Sequence, residues 1–177
     1  MPKSLKTHIL CFDDHKALVT TGILDDVRKR FSDTSRYMVI SFADTNSFLK
    51  HMREERDRGY CRVALLGVRD SQEHYENIDM LTMELRTIDP DTGLILLIPC
   101  EKTGQIRKMM RVEIDGFIPG NDNAILRIHN TVKRIISEHT LDIYRRRRNI
   151  SLYVLSGFLI LSAVLLLISR FRLPAYF

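Results

Sequence analysis

From Ile150 to Ser169 the chain runs through ISLYVLSGFLILSAVLLLIS without a single charge, and arginines stand on both sides of the run. At about 1.5 Å rise per residue, such a run makes about 30 Å of helix, the thickness of a bilayer's hydrocarbon core. A helix packed on a globular core carries a polar face, and this segment has none, so the pattern predicts a membrane-crossing helix. Arg145, Arg146, Arg147 and Arg148 precede the run, whereas Arg170 and Arg172 follow it. Through the positive-inside bias, that asymmetry places the N-terminal part in the cytoplasm. The expected layout is a globular domain over residues 1–140 and a polybasic juxtamembrane linker over 141–149. The span then covers 150–169, with a short non-cytoplasmic tail over 170–177, in a single-pass protein of the inner, cytoplasmic membrane.

The four arginines before the span are either a topology signal alone or also a site for anionic lipid, at about 1 kcal/mol per basic residue near the surface. Within the span, Ser156, Gly157, Ser162 and Ala163 are small, which is compatible with helix self-association and so with a homodimer, although no GxxxG pair is present.

The same six arginines settle how the charge is read. They exceed the chain's formal net charge of +5, so residues 1–144 carry −1, and no acid lies beyond Asp142. A globular part that is slightly acidic lacks the electrostatic footprint of a nucleic-acid binder, and none is expected as a partner. Cys11, Cys61 and Cys100 form no CxxC pair, which predicts neither a disulfide framework nor a zinc site and suits a reducing cytoplasm. The apolar run near the N-terminus is interrupted by Asp13 and Asp14 and is not expected to be a signal peptide.

Along residues 5–140 two hydrophobic periods alternate. LKTHILCF, RYMVISFA, CRVALLGV, LILLIP and IDGFIP read as strands. Between and after them, helical spacing predicts helices over about 16–31, 45–58, 78–88, 103–112 and 122–143, with 68–77 as a loop. Asp89 to Gly93 is a turn signal. Five strands alternating with five helices predict an α/β, doubly wound (βα)5 flavodoxin-like parallel sheet followed by one transmembrane helix. In such sheets the functional crevice lies at the carboxyl ends of the strands, here at Asp13, Asp14, Gly67, Ile98 and Gly120.

Phe12-Asp13-Asp14-His15, continuing through Ala17-Leu18-Val19 to Gly22-Ile23, resembles the opening of the receiver domains of response regulators. LRTIDPDTGLILLI is similar to the third helix and fourth strand of that family, and IDGFIP to its fifth strand. The resemblance spans about residues 5–138. It implies a two-component signalling fold in which two acids after the first strand and an aspartate ending the third bind Mg²⁺, the last one accepting phosphate. The chemistry needs clustered oxygens because Mg²⁺ takes carboxylates and water in octahedral geometry, and because the metal neutralises charge on the transferring phosphoryl group.

Asp13 and Asp14 match the acidic pair, but the other chemical positions do not match. The phosphoacceptor position falls on Gly67, the Thr or Ser ending the fourth strand on Ile98, and the lysine after the fifth strand on Gly120. Phe117 matches an aromatic switch position, with ordinary core packing as the plainer reading. The expectation is a pseudo-receiver with no catalytic residues, no cofactor and a vestigial acidic pocket. At Asp13 and Asp14, either weak Mg²⁺ binding persists or the acids cap the first helix. Its partners would be the bilayer and a membrane or membrane-associated protein. The alternative is a phosphorylatable receiver in a phosphorelay that uses Asp70, which would require the loop 68–77 to fold back over the sheet edge. His15 lacks any nucleophile motif, and His8, His51, His74, His129 and His139 show no ligand spacing.

Overall fold

The computed structural model describes residues 6–13, 22–55, 60–99 and 103–172. Five strands, β1 (Thr7–Phe12), β2 (Tyr37–Phe42), β3 (Cys61–Gly67), β4 (Gly93–Ile98) and β5 (Gly116–Pro119), form one parallel sheet in the order β2-β1-β3-β4-β5. The described helices are α1 (Ile23–Arg30), α2 (Thr45–Glu54), α3 (Gln72–Ile88), α4 (Thr103–Met109) and α5 (Ala124–Arg172). This is the doubly wound flavodoxin-like order.

Alternation along the strands divides the core into two layers, because successive side chains point to opposite faces. Ile9, Cys11, Val63, Leu65, Ile95 and Leu97 face α1 and α5, meeting Leu24, Val27, Ile128, Val132 and Ile135. Leu10, Phe12, Ala64, Leu66, Leu94, Leu96 and Ile98 face the other way, onto Phe48 and Met52 of α2, Ile78 and Leu85 of α3, and Ile106 of α4. β1, β3 and β4 are buried along their whole length, which is why their sequences read as near-continuous apolar runs.

Two glycines let α5 approach the sheet. A Cβ on Gly93 would lie 2.7 Å from Ile135 Cγ2, and one on Gly116 would lie 2.9 Å from Thr131 Cγ2. Neither neighbour is a flexible chain end, because both are β-branched and held at χ1.

Every described helix has a bound that differs from the periodicity: α1 starts at Ile23 and α2 ends at Glu54, with larger differences in the three that follow. α3 begins at Gln72, not near Ile78, because Ser71 is an N-cap whose hydroxyl accepts the His74 N–H at 3.2 Å, with Glu73 in the first turn. The stretch expected as a loop over 68–77 is therefore half helix. α4 ends at Met109, before the expected Val112, and α5 starts at Ala124 and is one helix as far as Arg172.

The chain divides into two compact units, Met1–Ser137 and Glu138–Phe177. In the second, Arg148–Leu165 is a helix long and apolar enough to cross a membrane, and none of that window is buried.

His8 gives the domain an acid-sensitive point. It is buried in β1, stacked on Tyr60 with ring centroids 4.4 Å apart, and abreast of Arg62 on β3. Burial pushes its pKa below the usual 6.5, Glu55 raises it, and His51, Lys6 and Arg62 lower it further. A histidine whose folded pKa is depressed is protonated first in the unfolded chain, so stability is full above about 6.5 and is lost as the pH falls through that value. Melting temperatures of the wild type should therefore drop between about pH 7.5 and about pH 5. His8→Phe keeps the stacking and removes the titration, and should give a flatter profile. Equal slopes would rule His8 out as a source of the acid sensitivity.

Candidate functional site at the carboxyl edge of the sheet

The strand order reverses direction between β1 and β3, so the crevice of this fold opens beyond their carboxyl ends. Phe12 and Leu66 are register partners, which puts Asp13 and Gly67 side by side one residue further on. Asp13 is buried, and its N–H donates to the Phe42 carbonyl at 2.9 Å, so β1's ladder with β2 extends one residue past the strand. Its companion in the acidic pair, Asp14, lies outside the described residues, as do His15, Ala17, Leu18, Val19 and Cys100.

Gly67 ends β3 and is buried. Its carbonyl oxygen is 3.3 Å from Nε2 of His74, a buried residue of the first turn of α3. A carbonyl only accepts, so the pair is a hydrogen bond when Nε2 carries the proton. The end of β3 thus meets an imidazole ring.

Ile98 is buried in the second core layer, and its carbonyl accepts the Gly120 N–H at 2.9 Å. A Cβ on Gly120 would meet only that carbonyl oxygen, at an ordinary 3.7 Å. A side chain would fit at Gly120, so the backbone does not impose the glycine found there. Phe117, half-buried on β5, packs against the second layer.

Asp70 is exposed in the β3–α3 connection, and its Oδ1 accepts the hydroxyl of Tyr75 at 2.8 Å. Desolvation, then the hydrogen bond to Asp70 and the charge of that residue, push the Tyr75 phenol up to about 12. With α3 starting at Gln72, the chain that would have carried Asp70 back over the sheet edge is helical.

Mg²⁺, which the fold implies, does not fit the described donors. Gly67 contributes no carboxylate, its carbonyl faces an imidazole nitrogen, and Asp13 is the one described carboxylate ending β1 or β3, whereas Mg²⁺ requires several oxygens in near-octahedral array. Among the described residues no group of three or more His, Cys, Asp or Glu side chains is placed to hold a metal.

The structure brings Asp13 beside Gly67 and joins Ile98 to Gly120, and it turns Asp70 toward α3. His74 and Tyr75 contribute to this edge although neither carries a ligand-spacing signal in the sequence. The available signal was Ser71, a capping residue three positions ahead of His74, which marks a helix start and so puts the ring in a first turn beside the β3 end.

No protein-family model and no curated protein matches the sequence. Among solved structures, the chain is similar to a response regulator receiver domain protein from Clostridium thermocellum, with a TM-score of 0.57 and 13% identity over 76% of this chain and 98% of that one. It is also similar to an uncharacterized protein from Neptuniibacter caesariensis, with a TM-score of 0.56 and 13% identity over 78% of this chain and 93% of that one. The unit Met1–Ser137 has the fold of response regulator receiver domains.

Proposed function

We propose that this receiver-fold domain is a membrane-tethered pseudo-receiver that works without phosphoryl transfer, as a docking or regulatory subunit acting through protein contacts. The observation that carries the reading is Gly67, which ends β3 at the acceptor position with no nucleophile and with its carbonyl against His74. Ile98 and Gly120 support it, because neither offers the hydroxyl or ammonium that stabilises charge growing on a transferring phosphoryl group. The apolar helix Arg148–Leu165 supports tethering, and the arginines ahead of it support a cytoplasmic domain.

Receivers signal through the face made by their fourth helix, fifth strand and fifth helix, here residues 103–110 and 124–134. Met109 and Leu126 are exposed there. Tethering confines such a face to a thin layer and raises its effective concentration toward a membrane partner. The alternative, a receiver phosphorylated on Asp70, would have to release that carboxylate from the Tyr75 hydroxyl.

Incubation with acetyl phosphate and Mg²⁺, followed by intact-mass analysis, should show no phosphate adduct. A base-labile adduct that disappears in Asp70→Asn would establish the phosphorelay alternative in its place.

A further inference from the structure

We propose that the amino-terminal edge of the sheet, on the side of α1 and α5, is a binding surface for the anionic headgroups of the membrane. The inference rests on the tethered reading above. It concerns residues of the globular unit, separate from the juxtamembrane arginines.

α1 runs from the carboxyl edge of the sheet to the opposite edge and ends in Arg28, Lys29 and Arg30. The connection to β2 adds Arg36, Lys6 precedes β1, and Lys133 and Arg134 lie in the last turn of α5 before the unit ends at Ser137. Across residues 28–37 and 131–137 the only acid is Asp33, which is held by Ser35 and Arg36. Arg28 is turned to Asp25 and Ser41, and Arg134 donates to the Asp115 carbonyl. Lys6, Lys29, Arg30 and Lys133 have no ion-pair partner among the described residues. His129 registers the resulting potential: its pKa is lowered by burial first, and then by the charges of Arg30 and Lys133.

The rest of that edge is different. Among the described residues of the α2 and α3 side, Arg53 is paired with Glu84, Lys50 with Glu54, Arg62 with Asp89, and Arg86 with Asp115. Among the described residues the carboxyl edge carries Asp13, Asp25, Asp26, Asp44, Asp70, Glu73 and Asp122 against Arg69 and Arg127. Such an uneven placement of charge favours one orientation of a domain in the field of an anionic surface.

Charge complementarity selects the occupant, because Lys6, Lys29, Arg30 and Lys133 match the negative surface that a bilayer with anionic headgroups presents. α5 brings the chain to the basic edge, where Ile135 meets Gly93, the first residue of β4.

The test uses the full chain in vesicles of phosphatidylcholine, with and without phosphatidylglycerol, and measures amine acetylation by mass spectrometry. Lys29 and Lys133 should label several-fold more slowly in the anionic vesicles at low salt, and high salt should abolish the difference. Lys50, exposed on α2, should label equally in both. Lys29→Gln with Arg30→Gln lies on an exposed helix turn and should remove the protection of Lys133 while the protein still floats with the vesicles. Flotation with unchanged labelling would overturn the headgroup surface and leave tethering intact. Failure to float with either vesicle would overturn tethering and this inference together. Equal protection in neutral and anionic vesicles would assign the face to a protein contact and overturn the inference alone.

Discussion

Asp89→Ala should lower the domain's unfolding free energy by about 3–5 kcal/mol, the cost of leaving a buried charge without its partner. Arg62 and Asp89 form an ion pair at 2.6 Å, with side chains only 6% and 10% exposed. Asp89 also closes the α3–β4 turn: its Oδ2 accepts the Thr92 hydroxyl at 2.6 Å and its Oδ1 accepts the Asp91 N–H at 3.2 Å. Against a total stability of about 5–15 kcal/mol, the loss brings the domain near its folding limit. Chemical denaturation followed by far-ultraviolet circular dichroism measures it. Arg62→Leu combined with Asp89→Leu should recover most of the loss, because an apolar pair carries no desolvation penalty. Recovery should stop short by about 1 kcal/mol for each turn hydrogen bond still missing. If Asp89→Ala unfolds at the same denaturant concentration as the wild type, the pair is not a structural element.

Deleting residues 150–177 should move the protein from the membrane fraction to the soluble fraction. Ile150, Leu152, Val154, Leu155, Phe158, Leu159, Ile160 and Leu161 are each more than half exposed, and each such aliphatic or aromatic side chain favours a bilayer centre by about 0.3–0.6 kcal/mol. Their combined transfer should hold the intact chain through carbonate and high-salt washes. The truncated chain retains Arg145, Arg146, Arg147 and Arg148, which bind anionic lipid by charge alone, so what remains on membranes at low salt should wash off as salt rises. Protease added outside intact cells should leave residues 1–144 of the full protein uncut. Release of intact protein by carbonate would reduce the apolar helix to a peripheral contact, and digestion from outside would reverse the topology.

The apolar helix and the five strands could be read from the chain because each rests on local periodicity. A twenty-residue run without charge has few ways to satisfy its backbone in any solvent, and strands buried on both faces are apolar throughout. Gly67, Ile98 and Gly120 were equally readable as positions at or just past strand ends, since they follow from counting along those strands. Helix ends were less accessible. The sequence pattern predicts α3 from about Ile78, whereas one hydroxyl, that of Ser71, fixes its start six residues earlier.

What the sequence determined by itself was therefore the order of elements, the apolar segment with its flanking arginines, and the absence of a nucleophile where β3 ends. Only the tertiary structure decided what surrounds those positions. His74 meets the Gly67 carbonyl because a capped helix folds back over the strand, and Asp70 faces Tyr75 because that helix starts early. Arg62 finds Asp89 across 27 positions of chain, and Lys6, Arg30 and Lys133 share one edge of the sheet although they are far apart in sequence. Local periodicity encodes which face of an element is apolar. It holds no information on which distant charges meet, because that depends on strand order and on the direction in which each helix returns across the sheet.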